Sequence, residues 1–233
     1  MTLVELQKKL RTLKNKGFIP SLRQGPTGIG YTLERELGIT ESNIPIPDIG
    51  GRVELKATRR KTMSLITLFT FNKGVWQIPQ KELIKKYGYT DDHGRWALYC
   101  MVSTIKPNSQ GLLLILDEDN HSLNLIHSQN REPIASWDIY HLVSKLLSKT
   151  EKLLFVVAEV REGTKPEEFH FQEAYLLEQP SPEGFIKAIN DGKIVIDVRM
   201  HLKKSQTVRN HGTGIRVKDS DLPVLFKKKK QII

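Results

Sequence analysis

The sequence predicts an α/β or mixed α+β protein, because segments with helical spacing of apolar residues alternate with segments typical of strands. Leucines three or four positions apart indicate an amphipathic helix over 2–16, which Gly17 closes. Runs rich in β-branched and aromatic residues predict strands, among them 65–71 and 96–103. A turn at 91–94 suggests a division into lobes 1–92 and 93–233.

The N-terminal third places a row of polar residues on one strand. A Gly/Pro-rich loop at 23–30 leads into a second helix that ends near Gly38, and a turn over 45–51 precedes a strand at 52–58. Because side chains alternate along a strand, Glu54 and Lys56 face one side while Leu55 faces the other.

The remaining elements follow from the same patterns. A short helix is predicted over 79–87, and Ser136 is expected to cap a helix that runs to about Lys149. The other predicted elements are strands at 111–116, 123–127, 153–160, 168–177 and 193–199 and a helix at 182–190.

The charge of the chain points to a polyanionic partner. The formal net charge is +10 and the sequence pI is about 9.6. From Lys187 to the end, twelve lysines and arginines stand against four carboxylates. These basic residues show no amphipathic helical stripe, so nucleic acid is favoured over a membrane surface.

The apolar runs, the N-terminal pattern and the single cysteine of the sequence indicate its cellular compartment and the state of its thiol. It has no apolar run of transmembrane length and begins with a helical pattern instead of a signal-peptide core, so we expect a cytoplasmic protein. The single cysteine, Cys100, excludes an internal disulfide and a cysteine-based zinc site. Its apolar neighbours favour a buried thiol over a catalytic one.

Asp48, Glu54 and Lys56 are the candidate catalytic residues. Hydrolysis of a phosphodiester needs a cation on the phosphate, an activated water and relief of charge on the leaving oxygen. Asp48 follows Pro47 in the predicted turn and can lean towards Glu54, so these two carboxylates, with the Leu55 carbonyl, are suited to Mg²⁺. Lys56 would orient the attacking water. The competing interpretation is an exposed strand edge with a solvated Glu–Lys pair.

A basic run follows this strand directly. Arg59, Arg60 and Lys61 are placed to contact a nucleic-acid backbone, although an ordinary solvated run of charge is an equally good interpretation.

Two segments resemble a known nuclease family. The stretch GIGYTLERELG at 28–38, followed by Pro47-Asp48 and VELK at 53–56, is similar to the active-site region of the MvaI/BcnI restriction endonucleases, which are MutH-like members of the PD-(D/E)xK nucleases. RNHGTGIRVKD at 209–219, followed by Leu222-Pro223, is similar to the end of that family. The middle of the chain, about 75–190, offers no comparable motif.

The resemblance implies a restriction-endonuclease-like core, with a mixed sheet flanked by helices and two lobes that form a DNA-binding cleft. It adds Glu34 to the active site, and Glu36 serves as a control because it points elsewhere on the helix. The implied activity is Mg²⁺-dependent cleavage of double-stranded DNA by a monomer that nicks one strand and then the other. A cognate DNA methyltransferase of a prokaryotic cell would act on the same sequence.

The C-terminal region carries candidates for reading DNA. The strand after Lys193 places Asp197, Arg199 and His201 on one face, where polar partners are expected. Arginine can bond a guanine edge from a β-ribbon in the major groove, so Arg199 is a candidate. The further candidates, in a predicted loop and the strand after it, are Arg209, Asn210, His211, Thr213 and Arg216.

The resemblance assigns finer roles to three of them. Arg199 and Arg216 would read the G·C pairs of a pseudopalindrome of the CC-N-GG type, and His211 would contact the central pair. A phosphate clamp or a surface ion pair is the alternative for each arginine. The lysines at 227–230 are predicted to form a solvated, flexible end.

Two other functions stay open from the sequence. One is a mismatch-repair strand nickase that depends on a partner, and the other is a DNA-binding module without catalysis on a nuclease scaffold. The presence of Asp48, Glu54 and Lys56 argues against the second.

Overall fold

A computed structural model describes residues 2–39, 47–60, 64–71, 74–161 and 163–233. The helices within these residues are α1 (Leu3–Asn15), α2 (Gly28–Leu37), α3 (Gln80–Tyr87), α4 (Ile139–Thr150) and α5 (Pro182–Asn190), with a short 3-10 helix at Leu222–Leu225. The strands are β1 (Ile19–Pro20), β2 (Glu54–Arg59), β3 (Leu65–Phe71), β4 (Tyr89–Thr90), β5 (Trp96–Val102), β6 (Leu112–Asp117), β7 (Ser122–His127), β8 (Pro133–Asp138), β9 (Lys152–Arg161), β10 (Glu168–Pro180), β11 (Ile194–Leu202), β12 (Val208–Lys218) and β13 (Phe226–Gln231). The predicted mixed α+β class is confirmed.

The chain divides into two compact units that are not consecutive in sequence. Unit 1 comprises Met1–Ile66, Leu147–Ser181 and Asp219–Ile233, and unit 2 comprises Thr67–Leu146 and Pro182–Lys218. These units differ from the single predicted boundary at 92/93, because each draws on distant segments that pair within one sheet.

Unit 1 is built on a five-stranded sheet. Its strand order is β1-β10-β9-β2, and β13 pairs with β10. The β2–β9 pair is parallel and sets Glu54 beside Leu153 and Lys56 beside Phe155. Helices α1 and α2 pack on this sheet through apolar residues such as Leu10 and Leu33, both fully buried.

Unit 2 contains two sheets. One has the order β3-β12-β11-β5-β4, and the other is the antiparallel meander β6-β7-β8. In the larger sheet, β11 lies between β12 and β5 and pairs antiparallel with both. On β11, Ile196, Val198 and Met200 are fully buried, so the alternate residues face the opposite side of the sheet.

The ends of the N-terminal helices follow from their sequence. Thr2 and Glu5 form a reciprocal capping box at the start of α1, which satisfies two backbone N–H groups that would otherwise lack partners. Helix α2 ends at Gly38, whose φ of 74° is left-handed and favours glycine.

Three local predictions are wrong. Ser136 lies in β8, and Asp138 caps α4 by accepting a 2.8 Å hydrogen bond from the His141 N–H. The lysines at 227–230 are not a flexible end, because β13 pairs with β10 along this stretch, although their side chains are exposed. Residues 209–214 belong to strand β12 and not to a loop. Residues 45 and 46 of the predicted turn lie outside the described ranges.

No helix in the described parts of the chain combines the length and the apolar character needed to cross a membrane.

Candidate functional site

A tight turn brings Asp48 next to the first residues of β2. Ile49 and Val53 form an antiparallel bridge, and the Arg52 N–H donates to the Ile49 carbonyl over 3.1 Å. Gly50 and Gly51 both have positive φ, which side chains rarely tolerate, so this pair of glycines permits the reversal. The Leu55 N–H then donates to Asp48 Oδ2 over 2.8 Å, which fixes the carboxylate beside the strand.

Glu54 and Lys56 form a close ion pair on one face of β2. The distance from Lys56 Nζ to Glu54 Oε1 is 2.7 Å, and Glu54 is only 6% exposed. Burial of a carboxylate is costly unless charges or hydrogen bonds compensate, so this is not the solvated pair of the competing interpretation.

The second oxygen of Glu54 is chemically unusual. Oε2 is buried and has no hydrogen-bond partner among the described residues, and Lys149 Nζ lies 3.7 Å away, outside hydrogen-bonding distance. Lys149, at the end of α4, was not predicted as a site residue. No spacing rule connects it to β2, because its approach depends on the β2–β9 pairing.

The donor set around β2 fits a hard divalent cation. An unbonded carboxylate oxygen on Glu54, the nearby Asp48 and the Leu55 carbonyl are oxygen ligands of the kind that Mg²⁺ takes together with water and phosphate. Across the described ranges, three or more His, Cys, Asp or Glu side chains nowhere come together as a metal cluster. This set would therefore depend on two carboxylates and on ligands from outside the chain.

Glu34 and Glu36 differ in their surroundings. Helix α2 packs beside β2, so Glu34 lies on an element adjacent to the candidate catalytic trio of Asp48, Glu54 and Lys56. Its side chain is partly buried. Glu36 forms an ion pair with Lys16 of 2.6 Å, which directs it towards α1.

The two described arginines of the basic run after β2 are engaged with carboxylates. Arg59 pairs with Glu167 over 2.8 Å, and Arg60 pairs with Glu173. These carboxylates offset the charge of each guanidinium, which weakens its attraction for a phosphate. Lys61 lies outside the described residues.

In unit 2, Asp197 forms ion pairs with two arginines that are predicted to contact DNA bases. Asp197 is 7% exposed, and its Oδ2 lies 2.8 Å from Arg216 and 3.5 Å from Arg199. Asp197 forms a hydrogen bond with Arg216 and a longer ion pair with Arg199, whose Nε has no hydrogen-bond partner among the described residues. The sequence predicted a polar partner for Asp197 but not its role in orienting these arginines.

A second network surrounds His201. Its Nδ1 is 2.7 Å from the Tyr99 hydroxyl, and its Nε2 is 3.5 Å from Arg95, which also pairs with Asp91. Burial lowers the pKa of His201, and the positive Arg95 lowers this pKa further. The pKa of the adjacent His211, whose side chain is exposed, is also lowered, first by partial desolvation of the ring and then by the positive charges of Arg209 and Arg199. Both rings are therefore neutral at pH 7.

The other predicted reading residues divide into exposed and internal groups. Arg209 and His211 are exposed on β12. Asn210 donates to Gln80 over 3.2 Å and accepts from the Gly212 N–H over 2.6 Å. Thr213 is buried, and its hydroxyl donates to the Phe71 carbonyl over 2.6 Å, so its side chain is engaged within unit 2.

The turn at 91–94 and Cys100, which the sequence indicates to be structural, are both engaged within the fold. Asp91 accepts from the backbone N–H groups of His93 and Arg95, and hydrogen bonding to Arg95 lowers the pKa of Asp91 to about 2. Burial raises the pKa of the Cys100 thiol to about 12, so it stays protonated and unreactive.

Comparison with known proteins gives one family and one fold. The model of the MvaI/BcnI restriction endonuclease family matches residues 7–226. The fold is similar to a restriction endonuclease MvaI–cognate DNA substrate complex, with a TM-score of 0.82, 24% sequence identity and full coverage of both chains. Restriction endonuclease MvaI in the absence of DNA gives a TM-score of 0.57 at 22% identity, with 100% of this chain and 99% of that chain covered. A search of curated proteins gives no match.

Proposed function

This chain belongs to the MvaI/BcnI restriction endonuclease family, and from that premise we propose that it is a type II enzyme that hydrolyses double-stranded DNA with Mg²⁺ at a short specific sequence. The observation that carries the chemistry is the buried Glu54 carboxylate, which accepts a hydrogen bond from Lys56 through one oxygen, whereas none of the described residues donates a hydrogen bond to the other. A purely structural ion pair would be expected to satisfy both oxygens, whereas an open oxygen suits a ligand.

Each residue of the trio has a distinct task. Asp48 and Glu54 would hold the cation with the help of the Leu55 carbonyl, and the cation would supply positive charge at the scissile phosphate. Lys56 donates to Glu54 Oε1 and would also donate to the attacking water, which lowers the pKa of that water. The water would give up a proton to solvent as its oxygen bonds to phosphorus, the P–O bond to the leaving oxygen would break, and the leaving oxygen would take up a proton from a solvent water.

Lys149 extends this assignment. Its ammonium lies 3.7 Å from Glu54 Oε2, so Glu54 has a lysine near each of its two oxygens. The Lys149 ammonium would therefore add to the positive charge of Lys56 and help to offset the negative charge of an incoming phosphate.

Recognition is assigned to the β11–β12 ribbon. Asp197 orients Arg199 and Arg216, and each would bond a guanine of a CC-N-GG-type pseudopalindrome through O6 and N7. Neutral His211, exposed on β12, would contact the central pair. The similar structure of restriction endonuclease MvaI holds a cognate DNA substrate, which supports DNA as the ligand of this chain.

One proposed active site per chain would cut one strand in each chemical event, and from the family we infer a monomer that nicks the two strands in turn. A cognate methyltransferase would protect the host sequence, and the setting would be the cytoplasm of a prokaryotic cell.

The test is digestion of a supercoiled plasmid of known sequence by the purified protein with Mg²⁺. We expect an open-circular intermediate, then discrete linear fragments, and sequencing of the fragment ends defines the recognition sequence. No cleavage without an added mismatch-recognition complex would favour a repair nickase. Specific binding without cleavage in any divalent metal would favour a non-catalytic module.

Glu34→Gln should slow cleavage by about ten-fold or more, whereas Glu36→Gln should leave the rate within about two-fold. Both residues lie on the helix beside β2, but Glu36 forms an ion pair with Lys16 at the C-terminal end of α1. Single-turnover rates on the plasmid, with melting temperatures as the folding control, measure the difference. Equal rates for the two variants would remove Glu34 from the active site.

A further inference from the structure

A cationic cleft lies at the tip of the β11–β12 hairpin in unit 2. Its volume is about 470 Å³, and its lining includes Lys85, Arg95, Trp96, Lys203 and Lys204. No Asp or Glu from the described ranges lines it. Asp91 pairs with Arg95 and offsets its charge, so the three lysines supply the positive potential that would attract an anion.

The hairpin turn holds two of these cations in place. The Lys203 N–H donates to the Thr207 carbonyl and the Gln206 N–H donates to the Lys203 carbonyl, each over 2.9 Å. The side chains of Lys203 and Lys204 project into solvent at this turn. Lys85 adds a third ammonium from the last turn of α3.

Arg95 connects this cleft to the predicted reading residues. It lines the cleft, it pairs with Asp91, and its guanidinium lies 3.5 Å from His201 Nε2. The ring of His201 in turn lies tilted beside that of His211, with ring centroids 5.7 Å apart. The cleft is thus continuous with the proposed DNA-reading cluster, which favours a DNA phosphate over an unrelated anion.

We propose that the cleft binds backbone phosphates of DNA that flank the recognition sequence. This inference rests on the proposed function. Lys203 follows Arg199 by four residues, which is about 13 Å along an extended strand, and Lys204 lies in the turn beyond it. The DNA axis rises about 3.4 Å per base pair, so a ribbon lying along the groove would bring these lysines about four base pairs from the guanine at Arg199. That distance exceeds the half-length of a short site.

Trp96 provides a direct signal from the cleft. It is 40% exposed at the cleft wall, whereas Trp137 is fully buried. DNA that occupies the cleft should shield Trp96 from quenching by acrylamide. Trp96→Phe should remove this DNA-dependent change in fluorescence.

The test compares Lys203→Ala/Lys204→Ala with Lys106→Ala/Lys187→Ala, which removes the same charge from exposed positions of unit 2 that do not line the cleft. Affinities are measured in Ca²⁺ for two duplexes, one trimmed to the recognition sequence and one extended by eight base pairs on each side. We expect the hairpin variant to bind the long duplex about ten-fold more weakly, with a salt slope shallower by about two units. On the trimmed duplex the loss should stay within about two-fold, and the control variant should match the parent on both.

Three results would overturn the inference. One is an equal loss of affinity on both duplexes, which would place the lysines within the recognition sequence. Another is parental behaviour of the hairpin variant. The third is shielding of Trp96 by millimolar inorganic phosphate but not by the long duplex, which would indicate a site for a free anion. Failure of the proposed function would look different, because cognate and scrambled duplexes would then bind equally while the dependence on flanking length remained.

Discussion

Glu54→Gln should reduce DNA cleavage by at least about a thousand-fold while leaving affinity for a cognate duplex in Ca²⁺ within a few-fold of the parent. The substitution keeps the shape of the side chain but removes the charge that would hold the cation. Lys56→Ala should have a similar effect on the rate, because the attacking water then loses the lysine ammonium group that orients it. Single-turnover cleavage with Mg²⁺ and equilibrium binding with Ca²⁺ measure the two properties separately.

A matched pair of controls exists on the same sheet. Glu178 pairs with Lys152 over 3.2 Å, so Glu178→Gln and Lys152→Ala remove comparable charges outside the trio. These variants should cleave at near-parental rates. If Glu54→Gln and Lys56→Ala also retained near-parental turnover, the assignment of the active site would be wrong. Loss of folding in both, seen as a large drop in melting temperature, would instead indicate a structural ion pair.

The arrangement of the proposed catalytic trio, Asp48, Glu54 and Lys56, could be predicted from the sequence because its geometry is local. Asp48 and Glu54 are joined by one tight turn with two glycines, and Glu54 and Lys56 share a strand face through the two-residue repeat. Lys149 could not be predicted in the same way. It reaches Glu54 only because α4 ends where β9 begins, and β9 pairs in parallel with β2.

Non-local pairing also explains the errors in the C-terminal region. The glycines and polar residues at 209–214 are typical of a loop, but hydrogen bonds to β11 hold this segment as a strand. The lysines at 227–230 are similarly typical of a solvated tail, yet their segment pairs with β10 as an antiparallel strand. Lysines on an outer strand also discourage pairing with another chain, which gives this composition a structural purpose.

Arg216→Ala tests base reading against two alternatives. If Arg216 bonds a guanine edge, the variant should lose about 1–3 kcal/mol of affinity on the cognate sequence, or roughly five-fold to more than a hundred-fold, and little on other sequences. Discrimination would fall at one G·C pair. A phosphate contact would instead weaken binding to all sequences alike and reduce the salt slope by about one unit.

The third possibility is that Arg216 serves only to neutralise Asp197. Arginine has five N–H donors, so its 2.8 Å bond to Asp197 is compatible with a contact to guanine. Arg216→Ala, however, leaves the buried Asp197 carboxylate with the more distant Arg199 as its cationic partner among the described residues. Combining Arg216→Ala with Asp197→Asn removes that stranded charge. Affinities of both variants for cognate and single-substituted duplexes, at several salt concentrations in Ca²⁺, separate the three roles. We expect the double variant to regain thermal stability but not discrimination. Recovery of discrimination would show that Arg216 acts through Asp197, and uniform loss with a shallower salt slope would assign it to the DNA backbone.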